Sequence, residues 1–333
     1  MSYNLKNRNL LSLDELSVRD IHFLLELAHE LKRTKNAGTE QPQLQGKNIA
    51  LVFEKASTRT PCAVEVAAYD QGANVAFIGR GDSQRGEKES VKDTARVLGR
   101  LYDAIEYRGC EQAIVAELAQ YAGVPVFNGL TNPFHPTQIL ADYMTMQEHC
   151  PAKPLSQMRL AYLGDARYNI GDSLLQGAAL MGIDFRIGAP RALWPPRAVI
   201  EASQAKARNS GAWLRFTESA EEAVQEVDFI VTNVWVSMGE PESVWAERIA
   251  QLKPYQVNAD LMRSSCNPSV KFLHCLPSLL DRSTRKGEEL LRKFGTDGLE
   301  VTDEVFESPA CVVRDQAENR LHTIKALLVA TLA

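Results

Sequence analysis

The residues best suited to chemistry in this chain are Ser57-Thr58-Arg59-Thr60, which stand where an apolar run gives way to a helical pattern. The run at residues 49–53 is continuous and predicts an interior strand of a parallel sheet. Pro61 then opens a helical stretch that Gly72 is expected to end. Hydroxyls, a guanidinium and helix-start amides converge at one turn, which predicts an anion site. A capped helix with one surface arginine is the alternative, and this segment alone does not separate the two.

Further polar side chains follow the other apolar runs, and in an open parallel sheet ligands bind outside the carboxyl ends of the strands. These groups are Arg108-Gly109, His135-Pro136-Thr137-Gln138, residues 164–169, residues 232–239 and His274-Cys275-Leu276-Pro277. The first half of the chain thus offers arginines, hydroxyls, a histidine and a glutamine, which fits a small phosphorylated electrophile. The second half offers amides, a serine and a thiol, which fits a polar or zwitterionic second substrate. The inferred chemistry is group transfer from a phosphate-bearing donor in a cleft between two domains.

Each of these residues also has a purely structural interpretation. Arg108 alone could be a surface charge, and His135 and Asn169 could each serve as helix caps. Cys275 stands in an apolar run, where a cysteine is more often an inert buried thiol than a nucleophile. No base is visibly paired with Cys275, so thiol catalysis is not expected.

The elements that must position these groups follow an alternating pattern of strands and helices, which predicts an α/β fold. We expect two doubly wound domains, each a mainly parallel sheet flanked by helices. A Pro-rich break after residue 149 places the boundary, so residues 1–150 form one domain and residues 151–316 the other. Residues 317–333 read as a helix that packs back on the first domain. The predicted strands are residues 49–53, 74–78, 104–107, 124–127, 160–163, 185–188, 229–231 and 272–274, and the main predicted helices are residues 61–69, 91–101, 112–121, 137–149, 173–181 and 317–332.

Composition excludes several classes of protein. The 333 residues are 45% hydrophobic and carry a formal net charge of −5, which argues against nucleic acid as a partner. No apolar run is long enough for a membrane span, and no signal peptide is evident. The six cysteines are scattered, which favours a cytoplasmic protein with free thiols. No metal-ligand spacing, dinucleotide fingerprint or P-loop is present, so neither a metal nor a cofactor is expected.

Taken in order, the motifs resemble those of the aspartate/ornithine carbamoyltransferase family, and Ser237-Met238-Gly239 points to its ornithine branch. The resemblance covers nearly the whole chain. Its elements are residues 53–55, 57–60, 88–90, 92–96, 107–109, 135–138, 234–239, 274–277 and 315–320. It implies transfer of the carbamoyl group of carbamoyl phosphate to the side-chain amine of L-ornithine, giving citrulline and phosphate in arginine metabolism.

The resemblance also implies a role for each matching residue on the donor side. Ser57, Thr58, Arg59 and Thr60 would hold the phosphate, and Arg108 would bridge the phosphate and the carbonyl oxygen. His135 and Thr60 would donate hydrogen bonds to that oxygen. Gln138 and the backbone at Cys275-Leu276 would hold the carbamoyl amide, with Arg320 assisting.

On the acceptor side, Asn169, Asn233, Ser237 and Met238 would face the amino acid. Gln84 resembles the residue that this family lends to a neighbouring subunit's site, which implies a homotrimer.

The chain departs from the family pattern in four places. Asn233 replaces the usual aspartate, which pairs with the α-ammonium of ornithine, and Tyr168 replaces the first asparagine of a frequent pair. The usual HCLPAFHD sequence reads HCLPSLLD at residues 274–281, changing Ser278-Leu279-Leu280. Pro61 replaces an arginine and removes one backbone N–H. Three changes on the acceptor side leave open a carbamoyltransferase for a different diamine or diamino acid, and a non-catalytic binding protein is the alternative from another class.

Overall fold

The chain forms two compact α/β units, Met1–Met144 with Ala317–Ala333, and Thr145–Gln316. The computed structural model describes residues 4–55, 57–80, 89–236, 240, 242–279, 283–295 and 298–333. Two parallel sheets flanked by helices confirm the predicted fold class. The unit boundaries fall inside helices, whereas the sequence had suggested a break after residue 149.

The first unit contains a four-stranded parallel sheet in the order β2-β1-β3-β4. Its strands are β1 Asn48–Phe53, β2 Asn74–Ile78, β3 Ala104–Arg108 and β4 Val126–Leu130. Its helices are α1 Val18–Asn36, α2 Arg59–Asp70, α3 Val91–Leu101, α4 Gln112–Ala122, most of α5 Pro136–His149 and most of α13 Val313–Leu332. Ala50 and Val52 of β1 and Ile105 and Tyr107 of β3 are buried against α3 and α4 in one apolar core.

Strand β4 begins two residues later and ends three residues later than predicted. Pro125 cannot donate to a ladder, but its carbonyl accepts from the N–H of Ile105 at 2.9 Å. On the other side of the strand, the N–H of Asn128 donates to the carbonyl of Leu10 at 2.8 Å. These partners extend pairing through the polar residues Asn128 and Gly129, which local apolarity did not mark as strand.

The second unit contains a five-stranded parallel sheet in the order β7-β6-β5-β8-β9. Its strands are β5 Arg159–Leu163, β6 Asp184–Gly188, β7 Trp213–Thr217, β8 Phe229–Thr232 and β9 Lys271–His274. Its helices are α6 Asn169–Met181, α7 Arg197–Ser210, α8 Ala220–Val224, α9 Trp245–Leu252, α10 Ala259–Ser264, α11 Arg285–Phe294 and α12 Asp303–Phe306. Short 3₁₀ helices cover Leu13–Glu15, Leu155–Gln157, Arg191–Leu193, Glu242–Val244 and Lys253–Tyr255.

Both sheets have a point where the strand order reverses. In the first unit it lies between β1 and β3, and in the second between β5 and β8. Ligands of doubly wound folds bind outside the carboxyl ends of the strands at such a point. Among the described residues, we find no helix with the length and apolarity needed to cross a bilayer.

Candidate active site

The first group of predicted site residues gathers at the reversal point of the four-stranded sheet. Arg59 is the first residue of α2, and Thr58 is its N-cap residue but makes no side-chain capping hydrogen bond. Ser57 and Arg59 are partly buried, Thr58 is exposed, and Thr60 is fully buried. The start of α2 therefore presents first-turn amides without a side-chain cap, as an anion site requires.

Two buried arginines converge on Thr60. Arg108, at the end of β3, donates from Nη1 to the Thr60 hydroxyl at 3.0 Å and to the Gly129 carbonyl at 3.5 Å. Arg320, on α13, donates from Nη2 to the same hydroxyl at 2.7 Å. The Thr60 oxygen thus holds two guanidinium groups side by side, and both arginines are more than nine-tenths buried. We call Arg59, Thr60, Arg108, His135 and Arg320 the cationic cluster.

His135 belongs to this cluster as a neutral imidazole. The side chain is 3% exposed, and burial, followed by the positive charges of Arg320, Arg108 and Arg59, holds its pKa well below the usual value of 6.5. At neutral pH the ring therefore carries one N–H donor and no charge. His135 Nδ1 lies 3.4 Å from the Thr137 hydroxyl, and the neutral ring lies among cations, where an N–H group can meet an oxygen that gains negative charge.

Gln138 lies in the first turn of α5 and is held by a carboxylate. Its Nε2 donates to Asp142 Oδ1 at 2.8 Å, which fixes the orientation of the amide. Gln138 Oε1 is buried and accepts no hydrogen bond from the described residues. This oxygen can accept from a ligand N–H group, which is the role that the family resemblance implies for Gln138.

In the first unit the structure adds Glu106, in the middle of β3, which the sequence did not predict. Its side chain is 2% exposed, and its Oε1 has no hydrogen-bond partner among the described residues. Burial raises the pKa of this carboxyl to about 8, against the opposing effects of Arg320 and Arg108. A side chain at Gly129 would start 2.5 Å from Glu106 Oε1, so the glycine makes room for the carboxyl. A charged residue within an apolar strand was the available sequence signal.

A second group of predicted site residues follows the carboxyl ends of strands β5, β8 and β9 in the five-stranded sheet. Asn169 is the first residue of α6, Asn233 follows β8, and Cys275 follows β9. Cys275 Sγ donates to Asn233 Oδ1 at 3.0 Å. We call Asn169, Asn233 and Cys275 the amide cluster. It offers polar, uncharged groups, as the sequence predicts for the acceptor side.

The backbone around Cys275 is fixed by buried partners. The His274 N–H donates to Gln316 Oε1 at 2.9 Å, and the Leu276 N–H donates to His274 Nδ1 at 2.9 Å. His274 Nδ1 is therefore an acceptor, and His274 Nε2 lies 3.3 Å from Glu300 Oε1. Leu276 has a positive φ of 54°. His274, Gln316 and Glu300 thus position the Cys275-Leu276 backbone.

Tyr168 occupies the N-cap position of α6, and its hydroxyl lies 3.2 Å from Glu240 Oε1 as a donor. The Arg248 guanidinium forms an ion pair with the same Glu240 carboxylate, with Nη2 at 3.0 Å from Oε1, and a second ion pair with Asp165. Asp165 also pairs with Arg167, whose Nη2 lies 2.7 Å from Asp165 Oδ2. Tyr168 therefore ties the start of α6 to Glu240.

Predicted residues Gln84, Ser237 and Met238 lie outside the described residues, as do Leu280 and Asp281.

Among the described residues, no group of three or more His, Cys, Asp or Glu side chains could hold a metal ion. The cationic cluster and the amide cluster instead contain cations, neutral hydrogen-bond donors and amides. The cationic cluster can bind an anion and stabilise charge that develops on it.

Comparisons with known proteins identify the class. A family model described as aspartate/ornithine carbamoyltransferase, carbamoyl-P binding domain, matches residues 8–148, and one described as the Asp/Orn binding domain matches residues 156–331. The chain belongs to the aspartate/ornithine carbamoyltransferase family.

Individual relatives lie on the ornithine side of that family. The chain is 59% identical over 335 residues to a catabolic ornithine carbamoyltransferase of Pseudomonas putida, covering 100% of this chain and 99% of the relative. It is 61% identical over 334 residues to one of Burkholderia mallei, with the same coverage. Among solved structures, ornithine carbamoyltransferase from Pyrococcus furiosus is 37% identical, covers 99% of each chain and has a TM-score of 0.89.

Proposed function

We propose that the protein transfers the carbamoyl group of carbamoyl phosphate to the side-chain amine of L-ornithine, giving citrulline and phosphate. The observation that carries the proposal is the convergence of Arg108 and Arg320 on Thr60, at the reversal point of a parallel sheet. Relatives 59% and 61% identical over the full chain are named ornithine carbamoyltransferases, which supports ornithine as the acceptor.

Carbamoyl phosphate fits the cationic cluster. Its phosphate would bind the first-turn amides of α2 with Ser57, Thr58 and Arg59, because these groups favour an anion. Arg108 and neutral His135 would donate to the carbonyl oxygen. Gln138 Oε1, which accepts no hydrogen bond from the described residues, would accept from the carbamoyl NH₂ group.

The reaction needs no metal and no cofactor in this proposal. The neutral δ-amine attacks the carbamoyl carbon and forms a C–N bond, and the C–O bond to phosphate breaks with its electron pair leaving on phosphate. The amine proton is lost to phosphate or solvent. Charge develops on the carbonyl oxygen and on the leaving phosphate, and preorganised arginines and N–H donors stabilise it without reorganising.

The amide cluster would bind the amino acid, through Asn169 and Asn233 together with Ser237 and Met238. We propose the corresponding division of labour between the units, with carbamoyl phosphate bound by the first and the amino acid by the second. The descriptions of the two matching family models support this division.

The direct test is colorimetric citrulline formation by the purified protein, with phosphate release measured in parallel. Equal rates of citrulline and phosphate formation would support the proposal. A panel of putrescine, L-lysine and 2,4-diaminobutyrate tests the alternative acceptor that Asn233 suggests. Turnover of one of these without ornithine turnover would replace the acceptor and keep the class, and carbamoyl phosphate consumption with no amine product would reject both.

We also propose a homotrimer in which Gln84 reaches a neighbouring subunit's site. Exposed apolar side chains of the first unit support an interface, since Tyr69 of α2 is 60% exposed, Phe77 of edge strand β2 56% and Leu101 of α3 65%. Light scattering with size exclusion measures the mass. Mixing inactive Gln84→Ala and Arg108→Ala subunits tests sharing, because mixed trimers regain activity only if Gln84 acts on a neighbour's Arg108 site.

A further inference from the structure

Asp172 is a buried carboxyl on the same helix as Asn169 and one turn further along. Residues three apart on a helix share a face, so the two side chains project from the same side of α6. Asp172 is 3% exposed, and its Oδ1 is buried without a hydrogen-bond partner among the described residues. Such an oxygen costs free energy unless a donor meets it. The described part of the chain does not supply that donor.

Asp172 also differs from the other buried aspartates of the second unit. Asp165 pairs with Arg167 and Arg248, and Asp228 pairs with Lys153 at 2.6 Å. The described residues provide no such ion pair for Asp172. Burial raises its pKa to about 8, and no cation of the described segments acts against that effect. An added cation would remove the cost of its charge.

The position of Asp172 links it to the amide cluster. The phenol of Tyr162, at the end of β5, is affected electrostatically by Asp165, Cys275, Asp172 and Glu300, and none of these groups is a cation. The thiol of Cys275 is in turn bonded to Asn233. Asp172 and Cys275 therefore both lie near the phenol of Tyr162, and the thiol of Cys275 is hydrogen-bonded to Asn233.

An amino acid brings an α-ammonium group, which binds best to an anion. Asn169 and Asn233 are neutral, and Asn233 Oδ1 already accepts from Cys275. We propose that Asp172 binds the α-ammonium of the amino-acid substrate and supplies the negative charge that Asn233 lacks. This inference rests on the proposed carbamoyl transfer to an amino acid and identifies the residue that selects its α-amino group.

A proton linkage distinguishes this role from a purely structural one. The empty site holds Asp172 protonated near pH 7, since its pKa is about 8. A bound ammonium favours the ionised carboxylate, so binding expels the proton. L-Norvaline is the appropriate probe, because it keeps the α-ammonium and carboxylate of ornithine and lacks the δ-amine.

Calorimetry of L-norvaline with the full-length protein and carbamoyl phosphate, in buffers of different ionisation enthalpy, measures this proton. We expect release of about one proton per site from the wild type near pH 7, and none from Asp172→Asn. The exposed first-turn residue Asp303 of α12 provides the matched control Asp303→Asn, which should behave as wild type. Wild-type binding without proton release would overturn the proposal, whether or not the variant folds.

Steady-state kinetics gives the second readout. Asp172→Asn should raise the KM for ornithine roughly 10- to 100-fold and change the KM for carbamoyl phosphate by less than about twofold. Adding Asn233→Asp to that variant should recover much of the ornithine affinity, because the charge returns to the cluster. An unchanged KM for ornithine in Asp172→Asn would overturn the inference alone. A wild type that makes no citrulline would instead overturn the proposed function.

Discussion

Arg320 donates a hydrogen bond of 2.7 Å to the hydroxyl of Thr60, although 260 positions separate the two residues in the chain. The contact places the C-terminal helix α13 against the start of α2 within the first unit. Because Arg108 meets the same hydroxyl from β3, three separate elements define one cationic cluster. Both guanidinium groups therefore share a single threonine oxygen as an acceptor.

Replacing that oxygen tests its importance. Thr60→Val keeps the volume of the side chain and removes the acceptor of both arginines. We expect kcat/KM for carbamoyl phosphate to fall roughly 10- to 100-fold, as for the loss of a buried hydrogen bond to a charged group. The control is Thr323→Val, because the buried Thr323 hydroxyl donates only within α13. A Thr60→Val enzyme as active as the control would contradict the role of Thr60.

Glu106 should make donor binding depend on pH. With a pKa of about 8, the carboxyl is neutral below that pH and becomes an anion beside Arg108 and Arg320 above it. The anion competes with phosphate for these cations, so the KM for carbamoyl phosphate should rise as pH increases through about 8. Glu106→Gln cannot ionise, and its KM relative to wild type should fall across the same range. A constant ratio of the two KM values from pH 6.5 to 9 would count against this role.

The same carboxyl should also affect stability. Its pKa is raised in the folded protein from an ordinary value of 4.5 to about 8, so the folded state binds the proton more tightly than the unfolded state. The contribution of Glu106 to stability is therefore present below pH 4.5 and is lost as pH rises to about 8. The free energies of unfolding of the wild type and Glu106→Gln are measured in urea at several pH values. The variant should become more stable relative to the wild type as pH rises from 4.5 to about 8. A difference in unfolding free energy that does not change with pH would contradict this effect.

His135 should act as a neutral hydrogen-bond donor. His135→Ala should lower kcat roughly 100- to 1,000-fold, the cost of losing one donor to a developing oxyanion. His135→Asn, which retains an N–H donor, should recover part of that loss. Since its pKa lies well below 6.5, the wild-type kcat profile should show no histidine transition between pH 6 and 7. A transition there that disappears in His135→Asn would show that the ring titrates during turnover.

Cys275 should orient Asn233 and form no covalent intermediate. Cys275→Ser keeps a hydroxyl donor toward Asn233 Oδ1, and kcat should stay within about tenfold of wild type. Mass spectrometry of protein quenched during turnover with carbamoyl phosphate should find no carbamoylated cysteine. Cys275→Ala is the companion variant and should raise the KM for ornithine. A stable carbamoyl adduct on Cys275 would change the mechanism.

Much of the fold followed from local sequence signals, but elements with weak apolar contrast did not. Continuous apolar runs marked β1 and β5, because buried parallel strands are apolar on both faces. Strand β7 is an edge strand whose first residue, Trp213, is half exposed, so it shows no such run and was not predicted. Helix α7 directly precedes β7 in the sequence and was also not predicted.

Some site residues could likewise be predicted from the local sequence, whereas others depend on contacts between distant parts of the chain. Ser57–Thr60 could be found from its position between a strand and a helix. The approach of Arg320 to Thr60 depends on tertiary packing, so only family resemblance indicated its role. Asp172 was missed because burial, which no local pattern reports, is what changes its chemistry. Glu106 was missed although a charged residue within an apolar strand is a local signal.

Citrulline formation by the purified protein is the direct measure of carbamoyl transfer to ornithine. The purified protein is supplied with carbamoyl phosphate and L-ornithine, and citrulline and phosphate are quantified over time beside an Arg108→Ala control. We expect the two products to form in equal amounts, with the control at least roughly 100-fold slower. Phosphate release without citrulline, or equal citrulline formation by Arg108→Ala, would contradict carbamoyl transfer to ornithine at the cationic cluster.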